Sequence, residues 1–231
     1  MRISLAWGKN FPNGYGHTSI AFLKRCIGFE SAKNGSIEAS EFVVNQCVKQ
    51  ERLHKLREQY PDAVLLPVLG QNQLPLALAK AIGLPIWYEV HLQHKVTRKF
   101  LSAIERLLHK PVFFGKIQTG LTYILVDDVV TQGGTISALR EFVMTHGGKV
   151  VAVVALAYAI GSHAIMPKRR QIFRLMLKFG RALIFLLRIC GVAAAVCELT
   201  NAQVKYLLRF GSVGKIEKKL FREKNPPSDY S

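Results

Sequence analysis

The sequence predicts an α/β fold in which a parallel sheet is flanked by helices and is followed by a basic, helical C-terminal region. Between residues 63 and 159, apolar runs and helical patterns follow in the order strand, helix, strand, insertion, strand, helix, strand. Such alternation is typical of parallel strands joined by helical crossovers. With 231 residues, 49% of them hydrophobic, the chain is long enough to bury a large core. We expect this core at 63–159, an N-terminal helical region at 1–62 and the C-terminal region at 160–231.

The N-terminal region shows one clear helical pattern. Ser36 is suited to cap a helix that runs to about Tyr60, because acidic residues lie early in this stretch and basic residues late. Residues 1–35 show no clear pattern, and Gly14-x-Gly16 alone is too weak to indicate a phosphate loop. No signal peptide is evident, and the four cysteines have neither C-x-x-C nor zinc-like spacing. We therefore expect a reduced, cytoplasmic compartment.

Within the core, three apolar runs have strand character. Ala63–Val68 and Lys149–Ile160 are typical of buried strands, and Pro85–Val90 is a shorter run of the same kind. Leu74–Ile82 has a proline in its first turn and is followed by Gly83, as expected of a short helix.

The segment Tyr123–Thr135 is the most informative part of the sequence. Its apolar start, Tyr123–Val126, predicts a short strand that ends in two adjacent carboxylates, Asp127 and Asp128. Thr131–Thr135 then forms a turn rich in glycine and threonine, which opens a helical pattern that two glycines end. Ligands of open α/β sheets bind at the carboxyl ends of the strands, and the N–H groups of a helix start suit a phosphate. Carboxylates accept hydrogen bonds from hydroxyls, so the segment predicts a sugar-phosphate site.

This segment resembles the phosphoribosyl-pyrophosphate signature of the type I phosphoribosyltransferases, in which apolar residues lead into two acids and then Thr-x-Gly-Gly-Thr. The resemblance covers about residues 63–158 and implies a phosphoribosyltransferase-like fold and a Mg²⁺ cofactor. It implies that Asp127 and Asp128 act in catalysis by holding the ribose hydroxyls, and that they meet Mg²⁺ through the ligand or a water. The residues that it assigns to ribose and its phosphate are Asp127, Asp128, Val129, Val130, Thr131, Gln132, Gly133, Gly134 and Thr135.

The activity that the resemblance implies is a glycosyltransferase reaction of nucleotide metabolism. The family transfers the phosphoribosyl group from 5-phosphoribosyl-1-pyrophosphate to a base or related acceptor. Members that use hypoxanthine or guanine usually carry an acid where this chain has Thr131, and a threonine cannot act as a base at neutral pH. The turn looks more like that of orotate or adenine enzymes, or of the competence-associated family. The acceptor stays open, and a homodimer is expected.

The loop after the first core strand corresponds to the family's pyrophosphate loop. It contains no Lys or Arg, so the charge of the ligand must be met by magnesium, backbone amides or residues from elsewhere. Residues 91–121 form a long insertion with a basic start, at the place where the family carries a flexible loop that closes over the site. We expect a lid here, with a solvated basic helix as the alternative. The residues assigned to pyrophosphate are Leu69, Gly70, Gln71, Asn72, Lys95, Arg98 and Lys99.

The C-terminal region carries much of the net charge of +17, with 14 basic and 4 acidic residues. It contains a basic amphipathic stretch from Pro167, an apolar run at Ala182–Val196 that is too short to span a membrane, and capping-box spacing at Thr200–Gln203. An alternative function is therefore a regulator of the same fold that senses the ligand and binds nucleic acid through this region. A third interpretation is that residues 168–188 attach weakly to an anionic membrane.

Overall fold

The computed structural model describes residues 11, 14–93, 101–159 and 163–224. The strands are β1 (Tyr15–Thr18), β2 (Val64–Pro67), β3 (Val90–Gln93), β4 (Val112–Gly115), β5 (Thr122–Val130) and β6 (Lys149–Tyr158). The helices are α1 (Ile20–Arg25), α2 (Phe29–Lys33), α3 (Ile37–Cys47), α4 (Gln50–Gln59), α5 (Leu74–Ile82), α6 (Glu105–Leu108), α7 (Gly134–Thr145), α8 (Arg169–Ile189), α9 (Asn201–Leu208) and α10 (Val213–Lys224). A 3₁₀ turn lies at Val196–Glu198.

A four-stranded parallel sheet in the order β1-β6-β5-β2 forms the centre of the molecule. Side chains of α1 to α5 cover one face of this sheet. Side chains of α7 and of the antiparallel pair formed by β3 and β4 cover the other face. This arrangement confirms the predicted α/β fold class, with a parallel sheet flanked by helices and a helical C-terminal region.

The strand β5 is longer than the sequence predicts. The predicted strand ends at Val126, whereas β5 continues through both carboxylates to Val130 because it stays paired with β6 as far as Tyr158. Asp127 lies opposite Ala155 in this pairing. The acid pair therefore lies within the strand rather than beyond its end, and only the turn that follows lies past the edge of the sheet.

Two other predicted elements differ in extent. The helix predicted from Ser36 to Tyr60 is capped by Ser36 as expected, but it is divided into α3 and α4 at Val48 and Lys49, whose backbones are extended. The N–H of Lys49 donates a hydrogen bond to Nδ1 of the buried His17, a tertiary contact that the helical pattern cannot show. Within the predicted strand 85–90, Ile86 alone bridges to the sheet, and β3 begins only at its last residue.

The N-terminal region is part of the sheet core, since it supplies β1 and the helices of one face. Gly14 and Gly16 lie against the ring of Tyr158, which would be within 3 Å of a side chain at either position. The ring of Tyr158 also stacks on His163, with 4.5 Å between ring centres. The two glycines therefore make room for a buried aromatic ring, and they are not part of a phosphate loop.

The C-terminal region has a core of its own, which we call the helical cluster. It joins buried side chains of α8, α9 and α10 to Ile104 and Leu107 of the insertion. The predicted capping box is present at the start of α9, where Thr200 and Gln203 exchange hydrogen bonds. Gly180, with φ 60° and ψ −154°, divides α8 into two helical halves. None of the helices in the described parts of the chain has the length and apolar character needed to cross a bilayer.

Candidate functional site

The carboxylates of Asp127 and Asp128 lie in the central strand and are almost fully buried, with 7% and 5% of each residue exposed. Successive side chains of a strand start towards opposite faces, but the two carboxylates stay close enough to affect each other's ionisation. Asp128 lies on the face covered by α2, where its Oδ2 is 2.5 Å from Nζ of Lys33. On the other face, burial raises the pKa of the Tyr158 phenol, and the nearby Asp127 raises it further.

The Asp127 carboxyl is the most perturbed acid of the site. Its removal from water raises its pKa well above the usual range, and the charge of Asp128 adds to the rise. Two interactions act in the opposite direction: the N–H of Asp128 donates to Asp127 Oδ1 at 2.9 Å, and Lys33 is close enough to favour the ionised form. A carboxyl held in this way costs folding stability, and such groups are concentrated at functional sites.

The turn after β5 brings backbone N–H groups to the start of α7. Gly133 has φ 73° and ψ 12°, in the left-handed region, and α7 begins at the next residue, Gly134. The first N–H groups of a helix have no partner within it, and no side chain caps this N-terminus. Together with the positive end of the helix dipole, these groups suit an anion.

The outer side of the turn is held by the insertion and by the C-terminal region. Thr200 Oγ1 donates to the carbonyl oxygen of Gln132 at 2.5 Å, and Gln132 Nε2 donates to the carbonyl of Ala103 at 3.3 Å. Arg106 Nη1 donates to Thr131 Oγ1 at 3.4 Å. Of the three polar side chains of the turn, those of Thr131 and Gln132 are thus engaged, which leaves the backbone N–H groups and the hydroxyl of Thr135 to meet a phosphate.

The predicted pyrophosphate loop lies beside the acid pair because β2 and β5 are neighbours. The N–H of Val68 donates to the carbonyl of Val126 at 2.9 Å, so the chain leaves the sheet next to the acids. Within the loop, Leu69 bridges to His91, and Asn72 Oδ1 accepts a hydrogen bond from the first N–H of α5.

The same loop packs against the end of α2. The N–H of Gln73 donates to the carbonyl of Ala32 at 3.4 Å, and a side chain at Gly35 would lie 3.4 Å from the carbonyl of Gln71. Lys33 lies between these two contacts in sequence and reaches Asp128. The loop therefore has a cation beside it that comes from another element.

Three of the described residues of the insertion are buried and half of the described residues are exposed, so the lid expected over residues 91–121 stays a prediction. Ile104 and Leu107 are buried in the helical cluster, and Phe113 of β4 is buried against the sheet. The three basic residues expected to close over the ligand lie outside the described residues: Lys95, Arg98 and Lys99.

The site has carboxylates but no preformed metal cage. Among residues 14–93, 101–159 and 163–224, no group of three or more His, Cys, Asp or Glu side chains is placed to hold a metal ion. Magnesium often binds through one or two carboxylates together with substrate phosphates. Asp127 and Asp128 fit this mode of binding, because they are adjacent carboxylates that lie just before the turn at the start of α7.

Three residues near the site were not identified from the sequence: Lys33, Arg106 and Thr200. Lys33 lies in the stretch that showed no pattern, and its partner is 95 residues away in the chain. The sequence indicates only that Arg106 lies in the insertion and that Thr200 caps a helix. A local pattern carries no signal for contacts over such distances.

Comparison with curated proteins finds two relatives of distant similarity. The chain is 29% identical over 188 residues to a protein of Escherichia coli called TraN, which covers 77% of this chain and 42% of that protein. It is 28% identical over 149 residues to an uncharacterized protein of Haemophilus influenzae, covering 60% of this chain and 33% of that protein. The chain thus spans less than half the length of either relative. No family model matches the chain.

Among solved structures, the chain is similar to several phosphoribosyltransferases. A purine phosphoribosyltransferase from Pyrococcus horikoshii matches with 23% identity and a TM-score of 0.32, over 53% of this chain and 72% of that one. An adenine phosphoribosyltransferase from Saccharomyces cerevisiae matches with 18% identity and a TM-score of 0.35, over 54% and 71%. The UMP synthase of Leishmania donovani matches with 14% identity and a TM-score of 0.36, over 84% and 38%. These TM-scores are too low to assign a function to the chain.

Proposed function

We propose that the chain is a phosphoribosyltransferase, which binds 5-phosphoribosyl-1-pyrophosphate with Mg²⁺ and transfers the phosphoribosyl group to a base or related acceptor. The observation that carries the proposal is the buried pair Asp127 and Asp128 in a central parallel strand that leads through a glycine turn into the N-terminus of α7. The strand thus supplies acceptors for sugar hydroxyls, and the turn that follows it supplies N–H donors for a phosphate. A sugar phosphate uses both sets of groups at once.

The two ends of this strand-turn unit have separate tasks in the proposed site. Asp127 and Asp128 accept hydrogen bonds from the ribose hydroxyls and orient the ring. The backbone N–H groups from Thr131 to Thr135 hold the 5-phosphate, with the dipole of α7 favouring its charge. Holding both ends of the ribose fixes the position of its anomeric carbon, which is the atom that reacts.

The pyrophosphate end of the ligand would lie towards the loop Leu69–Asn72, next to Lys33. The loop has no cation of its own, but Lys33 contacts Asp128, and the preceding residue, Ala32, accepts a hydrogen bond from the N–H of Gln73. Asp127 and Asp128 would meet Mg²⁺ through the ligand or a water. When bound, Mg²⁺ supplies positive charge to the pyrophosphate oxygens.

In the reaction, the bond between the anomeric carbon and pyrophosphate breaks, and its electron pair leaves with pyrophosphate. Positive charge develops on the ribose, which the buried carboxylates Asp127 and Asp128 stabilise in a medium of low dielectric constant. The acceptor nitrogen then forms the new bond to the same carbon. Thr131 offers no base for this step, so a proton that the acceptor nitrogen loses would pass to water or to the released pyrophosphate. We expect the enzyme to act in the cytoplasm, as a homodimer.

Isothermal titration calorimetry with 5-phosphoribosyl-1-pyrophosphate and Mg²⁺ tests the proposal. The wild-type chain should bind the ligand, and the double variant Asp127→Asn with Asp128→Asn should lose at least about a hundredfold in affinity, the loss expected for two charge-assisted hydrogen bonds. Asp62→Asn, at an exposed position, is the matched control and should bind like the wild type.

Pyrophosphate release in the presence of a panel of purine and pyrimidine bases then tests catalysis. Release with one base, and none with the double variant, is expected. Equal affinity of the wild type and the double variant would refute the site. Tight binding without release for any base would refute catalysis and leave a sensor of the same ligand.

A further inference from the structure

The outer face of α8 is unusual because large apolar side chains are exposed on it. Phe173, Leu177, Phe185 and Ile189 are 63%, 78%, 67% and 51% exposed. The opposite face of the same helix is buried in the helical cluster on both sides of Gly180. The inner face therefore anchors α8 in the fold, while the outer apolar side chains leave most of their surface exposed.

The charges on this face are all of one sign. Residues 164–197 contain seven Lys and Arg residues and no Asp or Glu. On the first half of α8, Arg170 and Arg174 are exposed beside Phe173 and Leu177, at the helical spacings of three and four residues. On the second half, Arg181 and Arg188 flank Phe185 in the same way. Apolar side chains and cations thus alternate on the exposed side of each half of α8.

From this alternation we propose that the outer face of α8 binds the surface of an anionic phospholipid bilayer. Cations attract the phosphate headgroups, and the apolar side chains enter the boundary between headgroups and acyl chains. The proposal concerns a surface that includes neither acid of the pair, and it does not depend on the proposed transferase activity.

Two other occupants fit the face less well. A nucleic acid would use the cations and could stack on the phenylalanines, but Leu177 and Ile189 are aliphatic and cannot stack on bases. A second copy of the chain would bring the same cations together, which repel each other. A lipid surface is the partner that uses the cations, the aromatic rings and the aliphatic side chains together.

Flotation of the full chain with vesicles tests the proposal. Vesicles of phosphatidylglycerol and phosphatidylcholine in equal parts should carry the protein, vesicles of phosphatidylcholine alone should not, and added salt should weaken the binding. Arg170→Gln with Arg174→Gln should lower the affinity about thirtyfold, from the usual contribution of each cation at an anionic surface. The matched control is Lys24→Gln with Arg25→Gln, which removes the same charge from exposed positions of α1 and should change the affinity little.

The apolar contribution is tested separately. Phe173→Ser with Leu177→Ser should lower the affinity at least about tenfold, because burying one such side chain in an apolar medium accounts for that factor. Ile27→Ser with Phe42→Ser, at positions 74% and 52% exposed, is the control and should bind like the wild type.

The variants also separate the alternatives. No preference of the wild type for anionic vesicles, or equal losses in the α8 and control variants, would overturn the proposal. So would a loss confined to the charge variants, since the apolar side chains would then have no part. If the protein does not bind vesicles but binds a labelled single-stranded oligonucleotide through α8, the face is assigned to nucleic acid instead. If it forms a dimer in solution through α8, the face is assigned to a second copy of the chain.

Discussion

Two regions of the molecule differ in where they place side chains that lower stability. They are the sheet region, residues 14–159, and the C-terminal helical region, residues 163–224. The sheet region places charge inside, with Asp127 and Asp128 nearly buried in its central strand. The helical region places large apolar side chains outside, and Leu177 is its most exposed example. Buried charge and exposed apolar surface both cost free energy in the isolated chain. Buried polar groups in the central strand suit a small ligand, whereas an apolar exterior with cations suits an extended surface.

The largest effect on stability is expected from removing one charge inside the sheet region. Lys33→Met leaves the Asp128 side chain, which is 7% exposed, without its cation. The free energy of unfolding at neutral pH should fall by about 1–3 kcal/mol, the usual cost of a buried polar group that loses its partner. Arg170→Met, which removes an exposed cation of α8, should change it by less than about 0.5 kcal/mol. Urea denaturation of both variants measures the contrast.

Adding Asp128→Asn to Lys33→Met provides the control for this comparison. Most of the lost stability should return, because no uncompensated charge remains on that face of the sheet. If Lys33→Met and Arg170→Met lower the free energy of unfolding equally, the two regions do not differ in how much a cation stabilises them.

A smaller effect is expected where the two regions meet, at Gly133. Its φ of 73° costs a side chain about 1–2 kcal/mol, and a Cβ there would also lie 3.2 Å from Cγ2 of Thr200. Gly120→Ala is the matched control, since Gly120 has φ 82° and no atom within 4 Å of its added Cβ. Thermal denaturation should show a greater loss for Gly133→Ala than for Gly120→Ala. Thr200→Ser, which removes the methyl group, should bring the two losses together, and a difference that persists would contradict the contact.

The pH dependence of stability reports on the buried acid itself. The pKa of Asp127 is raised from the ordinary 3.8, so the folded state keeps this proton after the unfolded chain has lost it. Stability should therefore fall as pH rises from about 4 through the folded pKa. Asp127→Asn should remove that part of the fall and melt higher than the wild type above this window, by about 2–4 °C for each kcal/mol.

Melting curves from acidic to neutral pH test this, with Asp62→Asn as the exposed control. At the acid end, where the carboxyl is protonated in both states, Asp127→Asn and the wild type should melt alike. A variant that is less stable than the wild type at neutral pH would mean that the carboxylate is favourable to the fold.

The sequence predicts the parts of the fold that depend on local pattern. The strands around residues 64, 123 and 149 and the capping box at Thr200 all follow from neighbouring residues, and the structure shows them. The length of β5 could not be predicted, because it depends on pairing with β6 and not on the apolar run. The strand β1 was missed for a similar reason, since it is only four residues long and includes a glycine and a histidine.

The candidate site also has one part that follows from neighbouring residues and another that depends on contacts between distant residues. Asp127, Asp128 and the turn are contiguous, so their chemistry can be read from thirteen residues. Lys33 joins the site through a contact that spans 95 positions, and Thr200 through one that spans 68. Whether a charge has a partner is a property of the folded molecule, and this is why the cation beside the loop could not be assigned from the sequence.

The hydrogen bond from Thr200 to Gln132 joins the turn before α7 to the C-terminal region. A ligand that moves the turn would also act on Thr200, the residue that caps α9, and α9 packs against α8. A free energy of coupling acts equally in both directions. If occupancy of the turn changes the affinity of the chain for a bilayer by some factor, the bilayer changes the affinity for the ligand by the same factor. Substrate concentration would then help to set how much of the protein is at a membrane, through the hydrogen bonds that join the turn to Thr200, Arg106 and Ala103.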